Sequence, residues 1–113
     1  MTMGEAITQA NELRINTMSD EEKKRWLHEL DCDMAETMEV DVPYEDMSDD
    51  RLLLVQSPHD NIYVYYLVAR IDYFNQEIQM YQNDMIMFNE MLANARAYIR
   101  RHKKHSFRGN WKI

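Results

Sequence analysis

Two glycines, two prolines and one cysteine are all that this 113-residue chain contains of those residues, and each scarcity removes a class of explanation. Few positions can make tight hairpin turns or let a phosphate approach the main chain, so composition favours an all-α fold and disfavours a nucleotide-cradling loop. The lone Cys32 cannot form an internal disulfide and makes no claim on an oxidising compartment. No apolar run approaches the roughly 20 residues that span a bilayer, and the N-terminus lacks the basic-then-apolar order of a signal peptide. The expectation is a soluble protein, without membrane contact, of the cytoplasm or of something assembled there. The length allows one domain and one modest core.

Chemistry is equally sparse. His28 and Cys32 stand one helical turn apart with Asp31 nearby, a spacing that suits two ligands of a zinc site, but no CxxC or second His pair completes it. His102 and His105 lie in a basic stretch, where contact with a partner or solvent is the plainer reading. The carboxylates have no positioned base or nucleophile beside them, and no phosphate loop is present. The expectation is a protein that is not an enzyme, with no metal and no cofactor.

Charge is distributed very unevenly. All 20 acidic residues lie between Glu5 and Glu90, and with six basic residues they give positions 1–95 a charge of −14; from Arg96 onward there are seven basic residues and no acid. An acidic body with a basic tail can attract copies of itself head to tail, or plant the tail on an acidic neighbour. Lys and Arg at a helix end also complement the helix dipole, which accounts for Arg96 to Lys104 without any function. That argument does not reach Phe107, Arg108, Trp111 and Lys112. The candidate docking tail is therefore Arg100, Arg101, Lys103, Lys104, Phe107, Arg108, Trp111 and Lys112. From Glu29 to Asp50 there are ten acids and no Lys or Arg. Glu39, Asp41, Glu45, Asp46, Asp49 and Asp50 form an exposed acidic loop, read either as plain solvated surface or as a face toward DNA or a basic partner.

Three S/T-x-x-D/E patterns mark helix starts: Thr2 to Glu5, Ser19 to Glu22 and Ser57 to Asp60. They predict helices over about 3–15, 20–38 and from 58, the first with Met3, Ile7, Ala10 and Leu13 on one face, the second with Trp26, Leu27, Leu30, Met34 and Met38. Leu52 to Val55 is an apolar run without a visible partner strand. It reads as an extended segment packed on helices, or as a strand completed by another copy.

Beyond Ser57 an apolar ladder repeats at alternating spacings of four and three: Leu67, Ile71, Phe74, Ile78, Tyr81, Met85, Phe88, Leu92, Ala95 and Ile99. Its unbroken phase permits one rod of roughly 65 Å at 1.5 Å per residue. The polar step Gln82-Asn83-Asp84 offers a cap for a new helix, and a hairpin broken there, 58–81 and 84–103, buries both arms against each other. The hairpin is the reading taken here, within a small all-α bundle of about four helices: a single domain over 1–103 and a docking tail over 104–113. Met87 and Met91 lie off the ladder, and flexible thioethers suit surfaces that repack against unlike neighbours. Tyr63, Tyr65, Tyr66 and Tyr73 surround the third helix, so at least one must leave the core. Met87, Met91, Tyr63 and Tyr66 are the candidate intersubunit surface.

The order Asp60-Asn61-Ile62-Tyr63, Tyr66-Leu67, Ile71-Asp72-Tyr73, Asn75, Glu77, Tyr81, Asn83, Met85 and Met87-Phe88-Asn89 resembles small head-tail adaptor (head completion) proteins of long-tailed bacteriophages. The opening, with Glu21-Glu22-Lys23, Trp26-Leu27 and an acidic loop before Leu53-Leu54-Val55, is similar to that family, as is the basic helix end at Tyr98 to His102. Gln56-Ser57-Pro58-His59 varies the family's entry to the third helix, and Lys103 to Ile113 has no counterpart. The resemblance implies a structural virion protein at the head-tail interface, assembled in the host bacterial cytoplasm. It implies a ring, commonly of twelve copies, under the portal protein, extending a channel through which DNA passes without sequence-specific binding. A stopper or tail-completion protein would attach to that ring, and the C-terminal segment would reach into the portal. Two other classes stand beside it: a nucleic-acid-associated or packaging regulator, and a stand-alone helical interaction module.

Overall fold

Thr2 opens the first helix with a reciprocal pair of bonds, its hydroxyl accepting from the Glu5 amide at 3.1 Å while the Glu5 carboxylate accepts from the Thr2 amide at 3.0 Å. Two donors that a helix start leaves unpaired are thereby satisfied. The computed structural model describes residues 1–41 and 46–111, with side chains described as far as position 102. It consists of α1 (Met3–Leu13), α2 (Asp20–Met38), α3 (Asn61–Phe74) and α4 (Ile78–Trp111). Among the described residues the only β pairing is a single antiparallel bridge between Thr2 and Leu52. The fold is a small all-α bundle.

Ser19 caps α2 by accepting from the Glu22 amide at 3.1 Å, and Asp20, Glu21 and Glu22 sit at the helix's positive end. The apolar faces then meet. Met3, Ala6, Ile7 and Ala10 of α1, Trp26, Leu27, Leu30 and Met34 of α2, Ile62, Leu67, Val68 and Ile71 of α3, and Phe88 and Ala95 of α4 form one core. Each fully buried Leu or Ile contributes on the order of 1.5–3 kcal/mol. Leu13, at the end of the α1 face, falls outside the core and is 49% exposed.

The hairpin is present, but its turn lies at Asn75 to Glu77 and not at Gln82 to Asp84. At the end of α3 the Glu77 amide donates to Asp72 O at 2.9 Å and the Gln76 amide to Tyr73 O at 3.1 Å, around Gln76 in the left-handed region at φ 61°. This is a Schellman closure, which satisfies the helix's last carbonyls. The closure of α2 has the same form, with Glu39 at φ 56° and the Val40 amide on Ala35 O at 3.1 Å. Neither site has the glycine that usually marks it. The turn thus falls between ladder positions Phe74 and Ile78, and the ladder is two arms that happen to keep phase across it. Helix α4 runs on through 82–84 without a break.

The third capping pattern does not form. Ser57–Pro58 is a cis peptide bond, residues 56–59 make a turn closed by the His59 amide on Gln56 O, and Asp60 occupies the N-cap without a side-chain cap bond. Helix α3 therefore starts at Asn61. The apolar run at 52–55 pairs within its own chain, as the Met3 amide donates to Arg51 O at 2.9 Å and the Leu53 amide to Met1 O at 3.0 Å. Beside it, a Cβ on Gly4 would sit 3.1 Å from Asp49 Cβ and 3.2 Å from its carbonyl oxygen, so the close backbone approach is reserved for glycine.

Helix α4 has 34 residues, about 51 Å at 1.5 Å per residue. It sets the molecule's longest dimension of 53 Å. The turn at Gln76 yields a direct expectation: Gln76→Gly removes the penalty of a side chain in the left-handed region and stabilises the fold by about 0.5–1 kcal/mol. Urea unfolding monitored by circular dichroism measures it; a destabilised variant would show that Gln76 contributes contacts worth more than the backbone penalty.

Candidate functional site

Helix α2 carries Asp31 into the core at 0% exposure. Its Oδ1 accepts from the Tyr63 hydroxyl at 2.6 Å and the Leu54 amide at 3.2 Å, and its Oδ2 from Arg51 Nη2 at 3.1 Å. The Tyr63 hydroxyl in turn accepts from the Val55 amide at 2.7 Å. Burial, followed by the adjacent Asp31 charge, pushes the Tyr63 phenol far above its ordinary value. Tyr63, read from sequence as an intersubunit residue, is therefore a core residue at 0% exposure, placed there by its hydrogen bonds. Arg51 Nη1 also lies 2.9 Å from His28 Nδ1, and His28 Nε2 is 3.5 Å from Cys32 Sγ. The His28–Cys32 spacing thus serves this network, and among the described residues no group of three potential metal ligands occurs.

A second polar cluster ties α1, α3 and α4 together near the turn. Arg14 Nε donates to both oxygens of Asp72 at 3.0 Å, and Arg14 Nη2 lies 3.6 Å from Asp84 Oδ1. Asp72 and Asp84 are 1% and 8% exposed, so one guanidinium serves two buried carboxyls. Burial, a hydrogen bond with Asp72 and the Asp72 charge push the Asp84 carboxyl up to about 7, against the pull of Arg14. Asp84 Oδ2 has no hydrogen-bond partner, and a buried oxygen left so is costlier on a charged carboxylate than on a protonated carboxyl. Sequence reasoning offered Asn83 or Asp84 as the cap of a new helix; a charged type at a buried phase of α4 was the signal it passed over.

The surface candidates separate. Met87 is 45% exposed, while Met91 is half-buried against the core. Tyr66 is half-buried, 5.3 Å from the Phe88 ring, with its hydroxyl accepting from Arg70 Nη2 at 2.9 Å. Glu39, Asp41, Asp46, Asp49 and Asp50 are exposed, and Glu45 lies outside the described residues. Some of these acids fasten their own loop: Asp46 Oδ1 accepts from the Ser48 amide, and Asp49 pairs with Lys24 at 2.7 Å. Arg100 and Arg101 are exposed on α4. Lys103, Lys104, Phe107, Arg108 and Trp111 continue the α4 backbone, their side chains outside the described set, and Lys112 lies outside the described residues.

Two features were missed altogether. Leu13, Ile15, Tyr73, Phe74, Ile78 and Met80 are all at least 38% exposed, and they gather at the turn end of the bundle, where Asn75 Nδ2 donates to Ile15 O at 3.0 Å. At the other end, a cavity of about 350 Å³ is lined by Met38, Leu54, Val55, His59, Tyr98 and His102 among others. The rings of His59, Tyr98 and His102 lie tilted against one another there, with successive centroids 4.7 and 4.0 Å apart. Compared with known proteins, the chain matches no protein-family model, no curated protein and no solved structure.

Two expectations follow from the buried clusters. The folded state holds the Asp84 proton up to about pH 7, whereas an ordinary Asp releases it near 3.8, so between those values the folded chain binds more protons and stability falls as pH rises. Asp84→Asn should flatten that part of the profile, with the variant gaining on the native chain from pH 4.5 to pH 8 in urea midpoints; parallel profiles would refute the assignment. Tyr63→Phe strands the Val55 amide and one Asp31 lone pair, and should destabilise by about 1–3 kcal/mol in the same assay.

Proposed function

We propose that this protein is a structural head-tail adaptor of a long-tailed bacteriophage, assembling as a ring beneath the portal and acting without catalysis. The observation that carries the reading is α4: one helix of 34 residues leaves an acidic body and ends in exposed Arg100 and Arg101 followed by further basic and aromatic positions. In this reading the basic end docks on acidic portal surface, with arginines making charge-assisted bonds and Phe107 and Trp111 as anchors. Repetition around the ring multiplies individually weak contacts. The apolar turn end, with Tyr73, Phe74 and Ile78, lies at the opposite end of α4 and offers the platform for a stopper or tail-completion protein. Carboxylates of the acidic loop facing the channel would repel the DNA backbone and let it slide.

Supporting the non-catalytic part, both buried polar clusters join separate elements, Asp31 with Tyr63, Leu54 and Arg51, and Arg14 with Asp72. The resemblance in residue order supports the virion role. No helix among the described residues is long and apolar enough to cross a membrane, which agrees with a partner set of proteins and passing DNA.

The test is co-sedimentation with portal rings of long-tailed bacteriophages, comparing the full chain with one ending at His102. Truncation removes Lys103, Lys104, Arg108 and Lys112 together with Phe107 and Trp111. The shortened chain should keep its helical circular dichroism and lose portal binding by at least tenfold. Equal binding of both overturns the docking tail, and a full chain that binds no portal and forms no ring overturns the adaptor reading.

A further inference from the structure

Between α2 and the α3–α4 hairpin lies a groove of about 430 Å³ whose floor includes Leu30, Tyr66, Phe88 and Leu92. One wall is a stripe of carboxylates on α2, Glu29, Asp33 and Glu36, spaced four and then three residues apart. Glu29 and Asp33 are each 53% exposed at the side chain. Within the chain, Arg70 approaches Glu29 at 3.8 Å and Arg96 pairs with Asp33 at 2.8 Å, which leaves an acidic excess of one along this stripe. The stripe belongs to a body of −14.

The chain carries the complement of this groove at its other end. Arg108, Lys104 and Arg101 are also spaced four and then three when read backward along α4, whose helical backbone extends to Trp111. At about 100° per residue, positions 101, 104, 108, 107 and 111 fall within about one third of the helical circumference. The two aromatic positions thus border the basic stripe, as the apolar floor borders the carboxylates. An antiparallel pairing of α2 with such a helix sets Glu29 opposite Arg108, Asp33 opposite Lys104 and Glu36 opposite Arg101.

We infer that the α2–hairpin groove receives the basic C-terminal end of α4 from a second copy of this chain, in that antiparallel register. The inference rests on the reading of the basic end as a docking element and names its partner before a portal is met. The contact joins unlike surfaces, so it either propagates from copy to copy or closes when two copies exchange tails. Portal docking draws on the same charges, so it must displace the tail from the groove.

Charge exchange tests it. Full-length Glu29→Lys/Glu36→Lys and full-length Arg101→Glu/Arg108→Glu are compared with the native chain by sedimentation velocity in low salt, Asp33 being kept for its Arg96 pair. The native chain should associate with rising concentration, and the association should weaken with added salt. Each variant alone should associate at least tenfold more weakly, while an equimolar mixture should regain association, because each then meets an opposite charge. Circular dichroism of each variant confirms folding, and a variant that fails to fold is replaced by Glu29→Gln/Glu36→Gln, which should weaken association alone. A mixture no stronger than its components overturns the register. A native chain that stays monomeric at every concentration overturns the inference itself; portal co-sedimentation of the full chain is unaffected by that result and judges the docking tail separately.

Discussion

Asp31 is a carboxylate with no exposed surface, and the arrangement of this bundle depends on it. Its two oxygens receive Tyr63, Leu54 and Arg51, so one side chain on α2 fixes α3 and the extended 51–55 segment together. That segment in turn pairs with the first residues of the chain and seats α1. Desolvating such a charge costs several kcal/mol, and the cost is offset only when every lone pair finds a donor. A buried network of this kind is a poor source of net stability. It opposes any packing that separates Asp31 from Arg51, because that would leave a buried charge unpaired.

The Arg14–Asp72–Asp84 cluster has a different character. It joins the C-terminal end of α1 to both arms of the hairpin, yet it supplies one cation to two carboxyls. A proton completes the set near neutrality. The two clusters divide the labour: one locks the loop side of the bundle, the other ties the turn side and responds to pH. Helix α4 is held as far as Ala95 of the core and Ile99 packed against it, and its basic end extends past them.

How much of this was legible follows from where the signals lie. Helix α2 and its boundaries could be read directly, since Ser19 caps one end and the apolar stripe ends at Met38. The hairpin could be inferred from the need to bury two faces, but its turn could not be located, because Gln76 occupies a left-handed position that usually advertises itself as glycine. Gln82 to Asp84 looked like a break because three polar residues follow one another there, when Asp84 is polar for a tertiary reason that only Arg14 and Asp72 explain. Tyr63 likewise resembled a surface residue until Asp31, 32 positions earlier, gave it a buried partner. Local chemistry is visible in one sequence; pairings across 32 or 58 residues are not. The proposed docking surfaces are harder still, because carboxylates on α2 and a basic helix end acquire meaning only against a partner.

What unites these parts is a rigid acidic body presenting a long helix with an apolar end and a basic end. In the adaptor reading we propose, such a molecule is held between two others and beside copies of itself. Electron cryo-microscopy of the full chain bound to a phage portal tests this most directly. The account predicts a ring of repeated copies with the basic end of α4 against the portal and the Tyr73–Ile78 end facing away. A single bound copy, or a ring with the apolar turn end against the portal, would contradict it.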